Sequence, residues 1–287
     1  MQMKYLISSK LFLLVLIFSL LFIDCQDERA EYFDTSFRIL DEVLDTEEYG
    51  VGFRVNDIAL GLEVQKIFDK MIADGTISEI SQKWFNEDLY INDGPFWKES
   101  VAPTNDSSLI KVKQKGYLVV GIEDNFPPIS FTDEDGMPVG AEIELATEVC
   151  KRLGVEVRFE FIDWGALESV LNTGLVDCIW NGMTINDTRL SFMFVAKSYM
   201  QNRQIAVVKE KSDIYSLKDL ANKIIAVQRF STAIDAVNNN QTIMSLNPKP
   251  LIKQFPNNEV AYQQLKVNWI SMWVVDEIVG KWLLTYY

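Results

Sequence analysis

The chain contains no histidine, and that absence alone removes Ser-His-Asp and Cys-His nucleophile pairs, histidine general bases and most zinc sites. Cysteine is scarce too, with 3 in 287 residues. No disulfide framework can hold the fold; Cys150 and Cys178 read as buried free thiols, with one disulfide between them as the alternative. Positive charge also runs short: 27 Lys and Arg against 41 Asp and Glu leave a net charge of −14. Such a surface repels nucleic-acid backbone and acidic membrane on average, so no nucleic-acid partner is expected. Long apolar runs are missing, with one exception. Leu11 to Ile23, behind Lys4 and Lys10 and broken only by Ser19, gives about 13 residues where a bilayer span needs roughly 20, which suits the core of a secretory signal.

What remains is ordinary globular material, 48% hydrophobic and 24% charged, enough for one large domain or two small ones. Its most informative stretch runs from Asp177 to Arg189. A short apolar strand passes Asn181 and Gly182, presents Thr184, and reaches an arginine where a helix begins. Backbone N–H groups left open at a helix start favour an anion, and a guanidinium fits a carboxylate with two parallel bonds. Together with the Thr184 hydroxyl, these suggest a seat for a zwitterion, a free amino acid; the alternative is an ordinary strand, turn and helix with a surface arginine.

In chain order, residues 1–25 read as a signal and 26–34 as a polar tether. Strands are expected from Phe37 and over Tyr49 to Val55. A helix follows from Ile58 to Ala73, with Leu60, Val64, Ile67, Phe68 and Met71 on one face. Thr76 and Glu79 form a capping box for a second helix ending at Phe85. Residues 94–109 read as a linker. Ser108 and Lys111 match a nucleophile motif in form, but chance explains the match. Gly116 to Ile122 is a buried strand. The turn Asp133 to Gly136 lacks calcium-ligand spacing and reads as a hairpin, with no metal site. Helices at Ala141 to Leu153, up to Asn172, from Ser216, from Ser231 and at Glu259 to Leu265 alternate with strands at Val155 to Ile162, Gln204 to Val208, Lys223 to Gln228 and Ile270 to Val275. That alternation argues a mostly parallel α/β architecture. Ligands in such sheets bind beyond the strands' carboxyl ends, where Asn181, Ser231 and Asp276 fall.

Several blocks, taken together, carry a resemblance: Gly121 to Pro128, Val139-Gly140 before an acidic helix, Asp177 to Arg189, Ser216 to Leu220, and Val275 to Glu277. In these the chain resembles the polar amino-acid family (family 3) of bacterial extracellular solute-binding proteins, the receptors of ABC importers. The resemblance implies a two-lobed periplasmic-binding-protein-like (type II) fold, no cofactor, no enzyme activity, a monomer, and a permease partner in the membrane. It also implies export to the periplasm or cell surface. Cys25 resembles the lipidated cysteine of a bacterial lipoprotein, although Asp24 stands where Gly, Ala or Ser is usual.

Carried over by motif, Arg189 would pair with the ligand α-carboxylate, helped by N–H groups near Thr184 and at Ser231 and Thr232. Asp276, Thr184 and a carbonyl near Asn181 or Gly182 would hold the α-ammonium. Phe126, Trp164 and also Trp180 would wall the ligand side chain, and Glu123 sits where the family often places a specificity residue. Two departures stand out: Arg229-Phe230 replaces a glycine usual before Ser231, and Ser271 replaces an aspartate.

The order of blocks is also broken. Tyr49 to Arg54 and Asp74 to Phe85 resemble the family's C-terminal end, yet here they come first. A circular permutation would give one lobe from residues 47–93 plus 110–202 and another from 203–287 plus 35–46. The alternative is a rearranged or truncated tandem. Three other functions fit the same motifs: a ligand-sensing module of a signalling receptor, an enzyme on the same fold such as a cyclohexadienyl dehydratase, and a remnant with weak or no binding.

Overall fold

The computed structural model describes residues 34–91, 94, 97 and 101–287. The signal, Cys25, nearly all of the tether and much of the 94–109 linker lie outside the described residues.

The head of the chain forms β1 (Phe37–Ile39), β2 (Asp45–Gly50) and β3 (Gly52–Arg54), then α1 (Ile58–Ala73) and α2 (Thr76–Phe85). α3 (Ser108–Lys115) leads to β4 (Tyr117–Ile122), the short strands β5 (Asn125–Phe126), β6 (Ser130–Thr132) and β7 (Pro138–Val139), and α4 (Ala141–Leu153). Then come β8 (Glu156–Phe161), α5 (Leu167–Asn172), β9 (Cys178–Ile179), α6 (Asp187–Leu190), β10 (Met193–Phe194) and the long β11 (Ser198–Lys209). The tail alternates: β12 (Ile224–Gln228), α7 (Ala233–Asn239), α8 (Gln241–Met244), β13 (Leu251–Phe255), α9 (Asn258–Lys266), β14 (Met272–Asp276) and α10 (Glu277–Tyr286).

Two sheets organise these elements into two lobes. One has five strands in the order β10-β3-β9-β4-β8; the other has six, β1-β11-β14-β12-β13 with β2 also on β11. Apolar faces drive the packing. Leu60, Val64, Ile67, Phe68 and Met71 of α1 are all buried, the stripe its spacing predicts, and β4 buries Leu118, Val120 and Ile122. The sheets are mixed rather than mostly parallel. Parallel pairing is confined to β8-β4-β9 and β13-β12-β14, while β1, β2, β3, β10 and β11 pair antiparallel.

The antiparallel strands make the joint between the lobes. β3 pairs with β10 in one sheet, and their continuations β2 and β11 pair in the other. Two neighbouring strands therefore cross from sheet to sheet side by side, and one of them comes from the head. The head is part of both sheets.

Several local expectations change. The first strand ends at Ile39 rather than running through Leu44. The Thr76–Glu79 capping box does not form: Thr76 is the first helical residue, and the Asp74 carboxylate accepts its N–H at 3.2 Å and its hydroxyl at 2.6 Å. The box forms instead at Ser216 and Asp219, where a single 3-10 turn replaces the expected helix. Ser108 is structural, its hydroxyl accepting the Leu60 N–H at 3.1 Å. Cys150 and Cys178 are free and buried. Among the described residues no cluster of metal-ligating side chains occurs, and no helix is long and apolar enough to cross a membrane.

Candidate functional site

A cavity lies between the lobes, lined by Glu123, Phe126, Trp164, Gly182, Thr184, Arg189, Gln228, Ser231, Thr232 and Asp276. It bounds about 260 Å³ of space, part of it open to solvent. Each wall comes from a strand end. Glu123 follows β4, Gly182 and Thr184 follow β9, and Arg189 sits in α6, whose first N–H groups are capped by the Asn186 side chain at 2.9 Å from the Arg189 nitrogen. Gln228, Ser231 and Thr232 leave β12, and Asp276 ends β14.

Arg189 is buried, with 7% of its surface exposed. One guanidinium nitrogen donates to the Thr184 carbonyl at 2.7 Å, and the group lies 5.4 Å from the Trp164 ring centroid. Among the described residues it makes no ion pair. Burial lowers its pKa, while Glu47, Asp276, Tyr49 and Glu123 act at longer range to raise it. A buried guanidinium with most of its five donors uncommitted is a seat for an anion.

Asp276 faces it with the opposite problem. Burial raises its pKa, and the nearby charge of Glu47 raises it further. Tyr49 donates its hydroxyl to Asp276, and Asn202 donates at 2.7 Å. Glu47 in turn accepts from Thr184 at 3.1 Å, Asn202 at 3.1 Å and Gln204 at 3.0 Å. This polar cluster joins the crossing strands β2 and β11 to the end of β14, beside the cavity.

Glu123 reaches across the cleft, accepting from Gln228 at 2.8 Å. Burial pushes its pKa up to about 8; Asp124 and Asp276 add to the rise, and Gln228 and Arg189 oppose it. Gln228 is held by Asn258 at 2.7 Å, which in turn accepts from the Trp273 indole at 3.3 Å. Thr184 and Thr232 also meet across the cleft at 3.3 Å. On the exterior, Asn125 donates to Glu259 at 2.8 Å. The lobes are closed on each other.

Nine of the ten ligand-site residues expected from sequence line this one cavity; Asn181 does not. Its side chain turns inward, accepting the Glu123 N–H at 3.0 Å and the Ser130 hydroxyl, so it braces the loop carrying Glu123. Trp180 also departs from the aromatic wall expected of it. It is fully buried in the core between Phe68 and Tyr199, on the opposite strand face. Gly182 adopts φ +55°, and a Cβ there would stand 2.9 Å from the Phe126 ring. Only glycine lets the chain pass that close. Its N–H is held at 2.8 Å by Glu142, whose pKa burial pushes up to about 7.

Sequence reasoning missed Glu47, Tyr49, Asn202 and Gln228. The signal was period-2 polarity: Glu47 and Tyr49 share one buried face of β2, and Asn202 and Gln204 share one of β11. Polar residues at inward strand positions mark a site or a costly burial.

The fold and cavity define a two-lobed solute binder, and comparison with known proteins agrees. A sequence model for bacterial extracellular solute-binding proteins, family 3, matches residues 118–269. The chain belongs to that family. The L-cystine-binding protein TcyJ of Escherichia coli is 29% identical over 184 residues, covering 63% of this chain and 67% of its own length. An ABC uptake transporter substrate binding protein from Streptococcus pneumoniae, solved with bound histidine, has a TM-score of 0.59 at 29% identity, over 63% of this chain and 74% of that one. An ancestral amino acid-binding protein described as a precursor of cyclohexadienyl dehydratase has a TM-score of 0.57 at 31% identity, over 61% of this chain and 77% of that one. These relatives are solute binders.

Proposed function

We propose that the chain binds one free amino acid in the inter-lobe cavity outside the cytoplasm and delivers it, without chemistry, to an ABC importer permease. The observation that carries this is the placement of two buried ionisable groups of opposite sign on one small cavity: Arg189, with no ion pair among the described residues, and Asp276, whose charge burial opposes. A zwitterion answers both at once. Its carboxylate takes the free guanidinium donors, and its ammonium restores the charge that Asp276 is discouraged from carrying. The side chain then lies between Phe126, Trp164 and the Glu123–Gln228 pair. A positive side chain reaching Glu123 would restore the charge that burial discourages there, so the site favours an amino acid with a cationic side chain. Relatives named for arginine, cystine and histidine support an amino-acid ligand.

Closure follows from which lobe holds what. Arg189, Thr184 and the aromatics belong to one lobe; Ser231, Thr232 and Asp276 belong to the other. A ligand touching both sets stabilises the closed form by the contacts that only closure supplies. The head supplies β1 and β2 to one sheet and β3 to the other, which supports a circularly permuted domain over a broken tandem. We further read the protein as a monomer tethered through lipidated Cys25.

A thermal-shift screen against the twenty amino acids, cystine and ornithine tests the reading. The expected result is stabilisation by one or a few related amino acids, strongest for cationic ones. No shift with any of them would overturn it.

A further inference from the structure

Phe230 lies between two cavity residues, Gln228 and Ser231, and breaks two rules of burial and backbone. Its φ is +63°, a left-handed conformation that bulky side chains rarely occupy, and the residue is 55% exposed. Within its own lobe the ring meets the neighbouring Arg229 guanidinium, 5.8 Å from the ring centroid. Across the cleft, however, Gly165 follows the cavity residue Trp164, and the Phe230 ring sits against its backbone. A Cβ built on Gly165 would stand 2.8 Å from two ring atoms and 3.0 Å from a third. Gly165 therefore serves as a slot for the ring, next in sequence to the cavity residue Trp164.

We propose that Phe230 is a latch for the cleft: its ring, seated on Gly165 only when the lobes are together, holds the closed form and retards ligand release. The seat joins elements from opposite lobes, the turn after β12 and the turn after β8, so separation of the lobes breaks it. Phenylalanine costs backbone strain at this position whether the cleft is open or shut. The contact with Gly165 exists in one state alone, so the latch shifts the balance between states. The contact covers part of one phenyl face, which sets the effect at roughly fivefold to tenfold in that balance.

The latch takes the two-lobed binding reading as its frame but is measured without ligand, so the two fail separately. The experiment uses ligand-free protein, wild type and the variants Phe230→Gly, Gly165→Ala and both together. Phe230→Gly removes the ring and relieves the backbone, so it folds. Gly165→Ala keeps the ring but fills its slot. Small-angle scattering reads lobe separation, and amide hydrogen exchange reads opening of the segments containing Gly165 and Ser231. The expected result is a larger radius of gyration and roughly fivefold to tenfold faster exchange in each single variant, with nothing further in the double variant. Unchanged exchange in Phe230→Gly would overturn the latch, as would single-variant effects that simply add. Loss of all amino-acid binding, with this pattern intact, would overturn the proposed ligand class and leave the latch standing.

Discussion

Replacing Arg189 by methionine separates binding from folding more sharply than any other change in the molecule. Arg189 is 7% exposed; its guanidinium donates to one carbonyl at 2.7 Å and lies 5.4 Å from the Trp164 ring centroid. An amino-acid carboxylate would add two charge-assisted bonds in a site from which water is largely excluded. Truncating one partner of such a buried pair costs about 2–5 kcal/mol, or roughly 30- to 3,000-fold in affinity. In the ligand-free protein the loss is much smaller. Burial disfavours the cation, and no ion pair with a described residue repays it, so methionine of similar length costs the fold about 1 kcal/mol or less. Differential scanning calorimetry and titration calorimetry read the two effects. Ligand at 1,000 times the wild-type Kd raises stability by about 4 kcal/mol; after a hundredfold loss of affinity the same concentration gives about 1.4 kcal/mol. A variant that binds within threefold of wild type would refute the anion seat. So would one whose ligand-free form loses as much stability as the complex does, because Arg189 would then be a structural brace.

Trp180→Ala should do the reverse, costing about 3–5 kcal/mol in chemical denaturation while affinity stays within about threefold, since the ring fills core between Phe68 and Tyr199. Gly50→Ala, at the crossing strands, would bring a Cβ to 2.6 Å from Val195 and 2.8 Å from Ile185. Denaturant midpoints should show a loss of about 1–3 kcal/mol. Glu123→Gln should stabilise the ligand-free protein at high pH. The folded carboxyl ionises near 8 and the unfolded one near 4.5, so between those values the folded state binds more protons and stability falls as pH rises. The variant's advantage, about 1–2 kcal/mol at pH 8.5 because Glu123 keeps some contact with water, should vanish near pH 4.5 in thermal melts.

The parts of the fold legible in sequence are those governed by local pattern. The α1 stripe and the α4 limits follow from 3.6-residue spacing, and β4 and β12 follow from short apolar runs. What escaped depends on partners far along the chain. β13 alternates weakly and becomes a strand because β12 offers it a parallel edge. The Thr76 box failed because Asp74, two residues earlier, captured the same donors. In the candidate site, motif-bearing residues were legible and Glu47 and Tyr49 were not, because the head lies far in sequence from the strands it joins. Trp180 shows the limit of motif transfer: its position after β9 was legible, and the facing of its side chain was decided by packing against Phe68 and Tyr199.

The arrangement of polar groups ties the head to the function rather than to the fold alone. β2 contributes Glu47 and Tyr49 to the cluster that positions Asp276, and the backbone of Tyr49 bridges to Thr184 from the other lobe. A strand that merely completed a sheet edge would have no reason to bury an acid against Thr184, Asn202 and Gln204. The head also carries one of the two strands that cross between lobes, so the connection between the lobes and two polar groups beside the cavity lie on one element. Thr232 meets Thr184 and Gln228 meets Glu123 across the cleft, while Tyr49 of the head holds Asp276. One polar network therefore spans both lobes, and the earliest described strands of the chain are its middle.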